Sequence, residues 1–212
     1  MTDVEPPAEP DKRALRRGIL AARSLLTPDD LREADRSLAE RALSSPRIAQ
    51  ARTVAAYVSM GAEPGTRALL DALRTRGKRV LLPVLLPDGD LDWGSYDGPG
   101  SLATVRHGAR MALLEPVAPR LGVEAVAAAD VVLLPGLAVD RRGVRLGRGG
   151  GSYDRVLARL DRAGARPAAM VCLYDDEVLP RVPDRPHDRP VDAAVTPSGV
   201  RMFPRSPGVS TP

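Results

Sequence analysis

The densest run of chemistry-bearing residues spans positions 134–157, LPGLAVDRRGVRLGRGGGSYDRVL. Gly147, Gly149, Gly150 and Gly151 fill four of five consecutive positions, with Arg148 between them and Arg145 just upstream. Glycine has no Cβ, so backbone amides there can come close to a bulky anion. A helix predicted to begin near Ser152 aims its unpaired N–H groups at the same anion. Arg145 and Arg148 offer planar forks for phosphate oxygens. Asp154 falls in the first helical turn, where carboxylate and phosphate oxygens together hold a hard cation. The residues therefore describe an anion-binding glycine loop with arginines and a carboxylate, a flexible glycine-rich hairpin being the other reading open at this point. Two familiar phosphate motifs are excluded: GxxxxGK[ST] is absent, and Ser152 stands where a dinucleotide fingerprint needs its last glycine.

The elements that must position this loop follow from periodicity. Residues 11–26 read as a helix: at about 100° per residue, Leu15, Ile19, Ala22 and Leu26 share one face. Lys12, Arg16 and Arg23 fall within about 40° of each other beside that face, a cation row bordering either a groove or solvent. Thr27 is a helix cap, followed by Pro28 in the first turn and by Asp29 and Asp30 where the dipole favours acids. That second helix runs to about Ser44. Strands are expected at 53–58, 79–84, 131–135, 168–173 and 191–196, and helices at 64–76 and 155–160. Residues 90–96 alternate like an exposed strand, with Trp93 as a cover residue, whereas Cys172 reads as core.

Alternation of strands and helices predicts an α/β fold: a mostly parallel sheet flanked by helices, Rossmann-like and three-layered, with an N-terminal helical pair. Ligands of such sheets bind beyond the carboxyl ends of the strands. That places 59–63, 135–140 and the loop near Tyr174 on the functional rim. The expected organisation is a flexible tail at 1–10, one domain over 11–203 and a second flexible tail at 204–212.

Composition sets outer limits. The chain has 212 residues, 31 basic against 27 acidic, for a net charge of +4. All but Lys12 and Lys78 of the basic residues are arginine, which suits phosphate and carboxylate forks and also fits the codon bias of a GC-rich genome. A single cysteine excludes an internal disulfide framework and a cysteine-rich zinc site. Modest charge and 3% aromatic residues argue against a nucleic-acid partner. With no long apolar run and no apolar leader, the expectation is a cytoplasmic monomer with no membrane partner.

The segment RLGRGGGSYDR resembles the RLGxGxGYYDR signature of the 5-formyltetrahydrofolate cyclo-ligase family. Other pieces fall in the family's order: Lys12-Arg13-Ala14-Leu15-Arg16, the loop 59–63 ending in Glu63, Leu81-Leu82-Pro83-Val84, Leu114-Glu115-Pro116, and the stretch 187–192 followed by Thr196. Two departures stand out. Gly150 occupies a position usually bulkier or basic, and Ser152 one usually tyrosine.

The resemblance implies ATP-dependent closure of 5-formyltetrahydrofolate to 5,10-methenyltetrahydrofolate with Mg²⁺ as cofactor. It implies that Lys12, Arg13, Arg16, Arg145, Leu146, Gly147, Arg148, Gly149, Gly150, Gly151, Ser152 and Tyr153 bind ATP. Val58 and Glu63 bind folate together with the loop from Arg148 to Ser152. Arg148 and Arg145 are the catalytic cations, and Asp154 and Asp188 hold Mg²⁺, with Asp188 preferred over Asp192. His107 and His187 are expected to be structural. The departures at Gly150 and Ser152 suggest the alternative of a folate- or nucleotide-binding protein without catalysis.

Overall fold

A computed structural model describes residues 11–108, 111–184 and 188–204. The expected tails, apart from Pro204, and His187 lie outside them. Helices α1 (Lys12–Arg23), α2 (Pro28–Ser44) and α3 (Pro46–Gln50) precede strand β1 (Thr53–Ala55), α4 (Arg67–Thr75), β2 (Arg79–Leu85) and β3 (Leu91–Ser95). Strands β4 (Leu102–His107), β5 (Met111–Pro116), β6 (Val131–Pro135), β7 (Ala138–Asp140) and β8 (Arg145–Leu146) lead to α5 (Ser152–Arg162). Strands β9 (Ala168–Cys172), β10 (Val178–Leu179), β11 (Ala193–Thr196) and β12 (Gly199–Met202) follow.

Seven strands form the main sheet in the order β12-β11-β9-β6-β1-β2-β3. The five inner strands are parallel, and β3 and β12 run antiparallel at the edges. Apolar runs with no polar alternation suit a sheet covered on both faces, and the packing follows residue by residue. Val54, Val80, Leu82, Val131, Leu133 and Met170 point into one core with Leu38 and Ala42 of α2, Ile48 of α3 and Leu69, Leu70 and Leu73 of α4. Their neighbours Ala55, Leu81, Val132, Leu134 and Val171 point into a second core with Val156, Leu157 and Leu160 of α5. Helices on both faces make the three layers expected, and α1 with α2 supplies the N-terminal helical pair.

Local chemistry sets several boundaries. Thr27 and Asp30 form a reciprocal cap on α2, which satisfies two of the amides a helix start leaves free. The expected helix at 64–76 starts only at Arg67, because Thr66 is held in a turn: its hydroxyl donates to Tyr57 O and accepts from Ser59 N. Two small sheets escaped sequence reading, the β4–β5 hairpin and the β10-β7-β8 sheet. The second packs Leu137, Leu146 and Val182 against Leu15 and Ile19 of α1, and so seats the N-terminal helix.

One expectation is corrected. Residues 90–96 do not form an exposed strand: β3 is buried, and Trp93 is wholly inside the second core. Alternation marks an open face only where nothing covers it. Here both faces are covered: Trp93 packs into the core that holds Val126, Ala129 and Val156, and on the other face Pro116, ending β5, packs so closely that a Cβ at Gly94 would lie 2.6 Å from its Cγ.

Candidate active site

The carboxyl ends of β1, β2 and β6 open into a cleft of about 470 Å³. One side is apolar, with Val58, Met60, Pro83, Leu85, Leu91 and Leu113 among its residues. The other is the glycine loop, from Gly147 to Gly151, with Arg145 and Asp154. Tyr57 and Tyr153 line it too. Burial raises both phenols well above the ordinary tyrosine value, keeping them neutral.

The loop's path needs glycine at two points. Gly149 has φ +101°, and the Arg16 guanidinium lies 3.6 Å from where its Cβ would be. Gly151, at φ +76°, turns the chain into α5. No side chain caps that helix start, which leaves its first amides without a side-chain acceptor, the arrangement that attracts anions. Arg16 of α1 fastens the loop from behind, its Nε donating to Gly147 O at 2.9 Å.

Arg145, Arg148 and Lys12 each have a carboxylate opposite. Arg145 donates to Pro135 O at 3.0 Å and to Asp154 Oδ1 at 2.6 Å, tying the end of β6 to the first turn of α5. Its Nε is buried with no acceptor. Arg148 pairs with Glu63 across the cleft at 3.1 Å, and Lys12 with Asp188 at 2.6 Å. Glu63 is oriented by its own turn, its second oxygen accepting from Met60 N at 2.9 Å.

The structure brings Val58, Glu63, Gly147, Arg148, Gly149, Gly150, Gly151, Ser152, Tyr153, Arg145 and Asp154 to one cleft. Arg16 stands behind the loop, whereas Lys12 and Asp188, paired with each other, are not among the residues that line the cleft. Arg13 is exposed on α1 and reaches no cleft residue among its described contacts. Leu146 points into the small core under α1, so only its backbone is open to a ligand. The Ser152 hydroxyl faces Gly89 O at 2.6 Å, which Arg155 also holds at 2.7 Å, fastening the β2–β3 turn to α5. Asp192 accepts from Ala169 N at the amino end of β9, the sheet edge opposite the cleft. Asp140, expected on the rim, is fully buried. Among the described residues no three His, Cys, Asp or Glu side chains cluster to hold a metal. Asp154 nonetheless suits Mg²⁺, which keeps several waters and binds one or two carboxylates plus substrate phosphates.

Sequence reading missed the hairpin wall. Met111, Ala112, Leu113, Leu114 and Glu115 of β5 line the cleft. The signal was two β-prone runs around Gly108. Glu115 anchors the hairpin, accepting from Leu85 N at 3.0 Å and meeting His107 Nε2 at 2.6 Å. Cys172 is buried, and burial pushes its thiol up to about 12, so it is an inert core residue.

A sequence profile of the 5-formyltetrahydrofolate cyclo-ligase family matches residues 8–197. The chain belongs to this family. A 5-formyltetrahydrofolate cyclo-ligase of Mycolicibacterium smegmatis is 42% identical over 191 residues, spanning 88% of this chain and 93% of the relative. The Escherichia coli K12 cyclo-ligase is 34% identical over 180 residues, 84% of this chain and 96% of its own. The solved 5,10-methenyltetrahydrofolate synthetase of Aquifex aeolicus superposes with a TM-score of 0.75 at 26% identity, covering 94% of this chain and 96% of that one. The resemblance, the α/β fold and the enzyme class expected from sequence agree with these findings. No helix of this cyclo-ligase family member, among the described residues, is long and apolar enough to cross a membrane.

Proposed function

We propose that this cyclo-ligase closes 5-formyltetrahydrofolate to 5,10-methenyltetrahydrofolate, with ATP consumed, in the cleft between the glycine loop and the β4–β5 hairpin. The observation that carries the assignment is the division of one cleft into two chemistries. An apolar half bordered by Glu63, a carboxylate oriented by its own turn, suits a flat heterocycle bearing adjacent N–H donors. A half built of glycines, arginines and an uncapped helix start suits a triphosphate.

The chemistry asks mainly for alignment. The formyl oxygen attacks the γ-phosphorus, the bond to the bridging oxygen breaks, and ADP departs with the electron pair. The second folate nitrogen then adds to the activated formyl carbon and loses its proton, and phosphate leaves as the ring closes. Holding the oxygen in line and neutralising charge is what the protein contributes. Glu63, Val58 and Tyr57 hold the pterin. Amides from Gly147 to Gly151 and the start of α5 cradle the phosphates, with Tyr153 bordering them. Arg148 meets the transferring phosphoryl group. Arg145 adds its charge and orients Asp154, and Lys12 and Arg16 support the loop from α1. Asp154 and Asp188 would hold Mg²⁺, which when bound neutralises phosphate charge. No general base of near-neutral pKa is required, consistent with the structural place of His107.

Gly150 leaves open space where a larger residue would stand, since a Cβ there would meet nothing within 4 Å. A missing side chain enlarges the seat without removing any amide that serves phosphate. The protein is further expected to act on small molecules in the cytoplasm, as a monomer of about the 22.6 kDa chain mass.

The test is the absorbance of the methenyl product. Purified protein with ATP, Mg²⁺ and 5-formyltetrahydrofolate is expected to form it, and to form none when ATP is omitted. Tight folate binding without product would overturn the assignment.

A further inference from the structure

Three ion pairs join the charged groups of the site: Lys12 with Asp188 and Arg145 with Asp154, each at 2.6 Å, and Arg148 with Glu63 at 3.1 Å. The third differs in kind, because it links the seat of one substrate to the seat of the other. Its two members are also unlike in freedom. The Glu63 side chain is 11% exposed and is pinned by Met60 N, whereas the Arg148 side chain is 56% exposed on a loop of glycines. Arg148 is therefore the partner that moves.

We propose that Arg148 competes with the pterin for Glu63, and that its exchange between Glu63 and the ATP phosphates couples the binding of the two substrates. This rests on the placement of folate at Glu63 and of ATP on the glycine loop. Oε2 of Glu63 already accepts a backbone amide, and Oε1 faces the guanidinium. Two adjacent N–H donors of a bound pterin need that same carboxylate edge, so folate displaces Arg148. The released guanidinium then carries an uncompensated charge into the loop, where phosphate oxygens are better partners for its fork. In the other direction, phosphates that draw Arg148 away clear Glu63 for folate.

Coupling of this sort is reciprocal: each ligand must improve the other by one factor. An ion pair with one member more than half exposed is weak. The factor therefore falls at the low end of the usual range, about fivefold.

Isothermal titration of the whole protein tests this, using the β,γ-imido analogue of ATP with Mg²⁺, alone and with saturating 5-formyltetrahydrofolate. The wild type is expected to bind the analogue about fivefold tighter with folate present, and folate about fivefold tighter with the analogue present. Glu63→Gln is expected to bind the analogue alone at the tighter level, with no further gain from folate. Arg148→Gln is expected to bind folate alone at the tighter level, and adding Glu63→Gln to it should leave analogue affinity unchanged. Independent binding of the two ligands by the wild type would overturn the coupling while leaving the site assignment standing. So would an effect of Glu63→Gln on analogue affinity that persists in the Arg148→Gln background, because that is plain charge removal rather than exchange. Failure of the wild type to bind the analogue at all would instead overturn the nucleotide site, and the coupling with it.

Discussion

Arg23 donates to both oxygens of Glu177, from Nε at 2.6 Å and from Nη2 at 2.8 Å, and each side chain is only 4% exposed. Nη2 also reaches Gly136 O at 2.8 Å, and the guanidinium lies 5.5 Å from the centre of the Tyr174 ring. The last turn of α1 is thereby bound to the end of β6, beside the cleft. Breaking a buried pair by removing one partner leaves the other charge stranded. Arg23→Met is expected to lower stability by about 3–5 kcal/mol. Arg23→Met with Glu177→Leu should cost less than Arg23→Met alone. Urea unfolding of the two variants checks this, and a double variant weaker than the single would contradict it.

Asp140 is buried, which by itself would raise its pKa, yet its carboxyl is held below the ordinary value. The amide of Val182, the guanidinium and amide of Arg142 and the amide of Val144 all favour the charged form and outweigh burial. A group whose folded pKa is depressed adds stability above its unfolded value and loses it as pH falls through the folded one. The Asp140 contribution is therefore constant from neutral pH down to about pH 4 and declines below that. Urea midpoints measured against pH should show a drop in that acid window, and Asp140→Asn should flatten it while lowering stability at pH 7.

Asp154 is 56% exposed and meets Arg145 in the first turn of α5. An amide at 154 keeps an acceptor for Arg145, so Asp154→Asn is expected to lower stability by only about 1 kcal/mol. Turnover should fall by about a hundredfold or more, since the carboxylate would hold Mg²⁺ against the phosphates and so act mainly in the reaction. Product absorbance and thermal melting, measured side by side, separate the two effects. Unchanged turnover would remove Asp154 from the site.

Gly151 starts α5 at φ +76°, a conformation that costs a side chain about 1 kcal/mol. Gly151→Ala is expected to destabilise the protein by about that amount and to weaken nucleotide binding more than folate binding, because it moves the helix amides. Gly150→Ala, at an ordinary φ and with open space around it, should leave stability nearly unchanged. Equal effects of the two substitutions would argue against a shaped loop.

The amino-acid sequence by itself determined the parallel sheet, the two-sided core and the glycine loop with Arg145, Arg148 and Asp154, because each rests on local spacing. Unbroken apolar runs such as 131–134 report burial on both faces, and glycines separated by one arginine report close backbone approach. Only the tertiary structure decided which residues stand across from one another. Glu63 faces Arg148, Lys12 faces Asp188, Arg23 is drawn inside by Glu177, β5 walls the cleft, and Trp93 is enclosed in the second core. Periodicity places a side chain on a face of its own element, but pairing across 85 to 176 positions depends on how the elements are stacked, and that is set by the sum of all the packing rather than by any one segment.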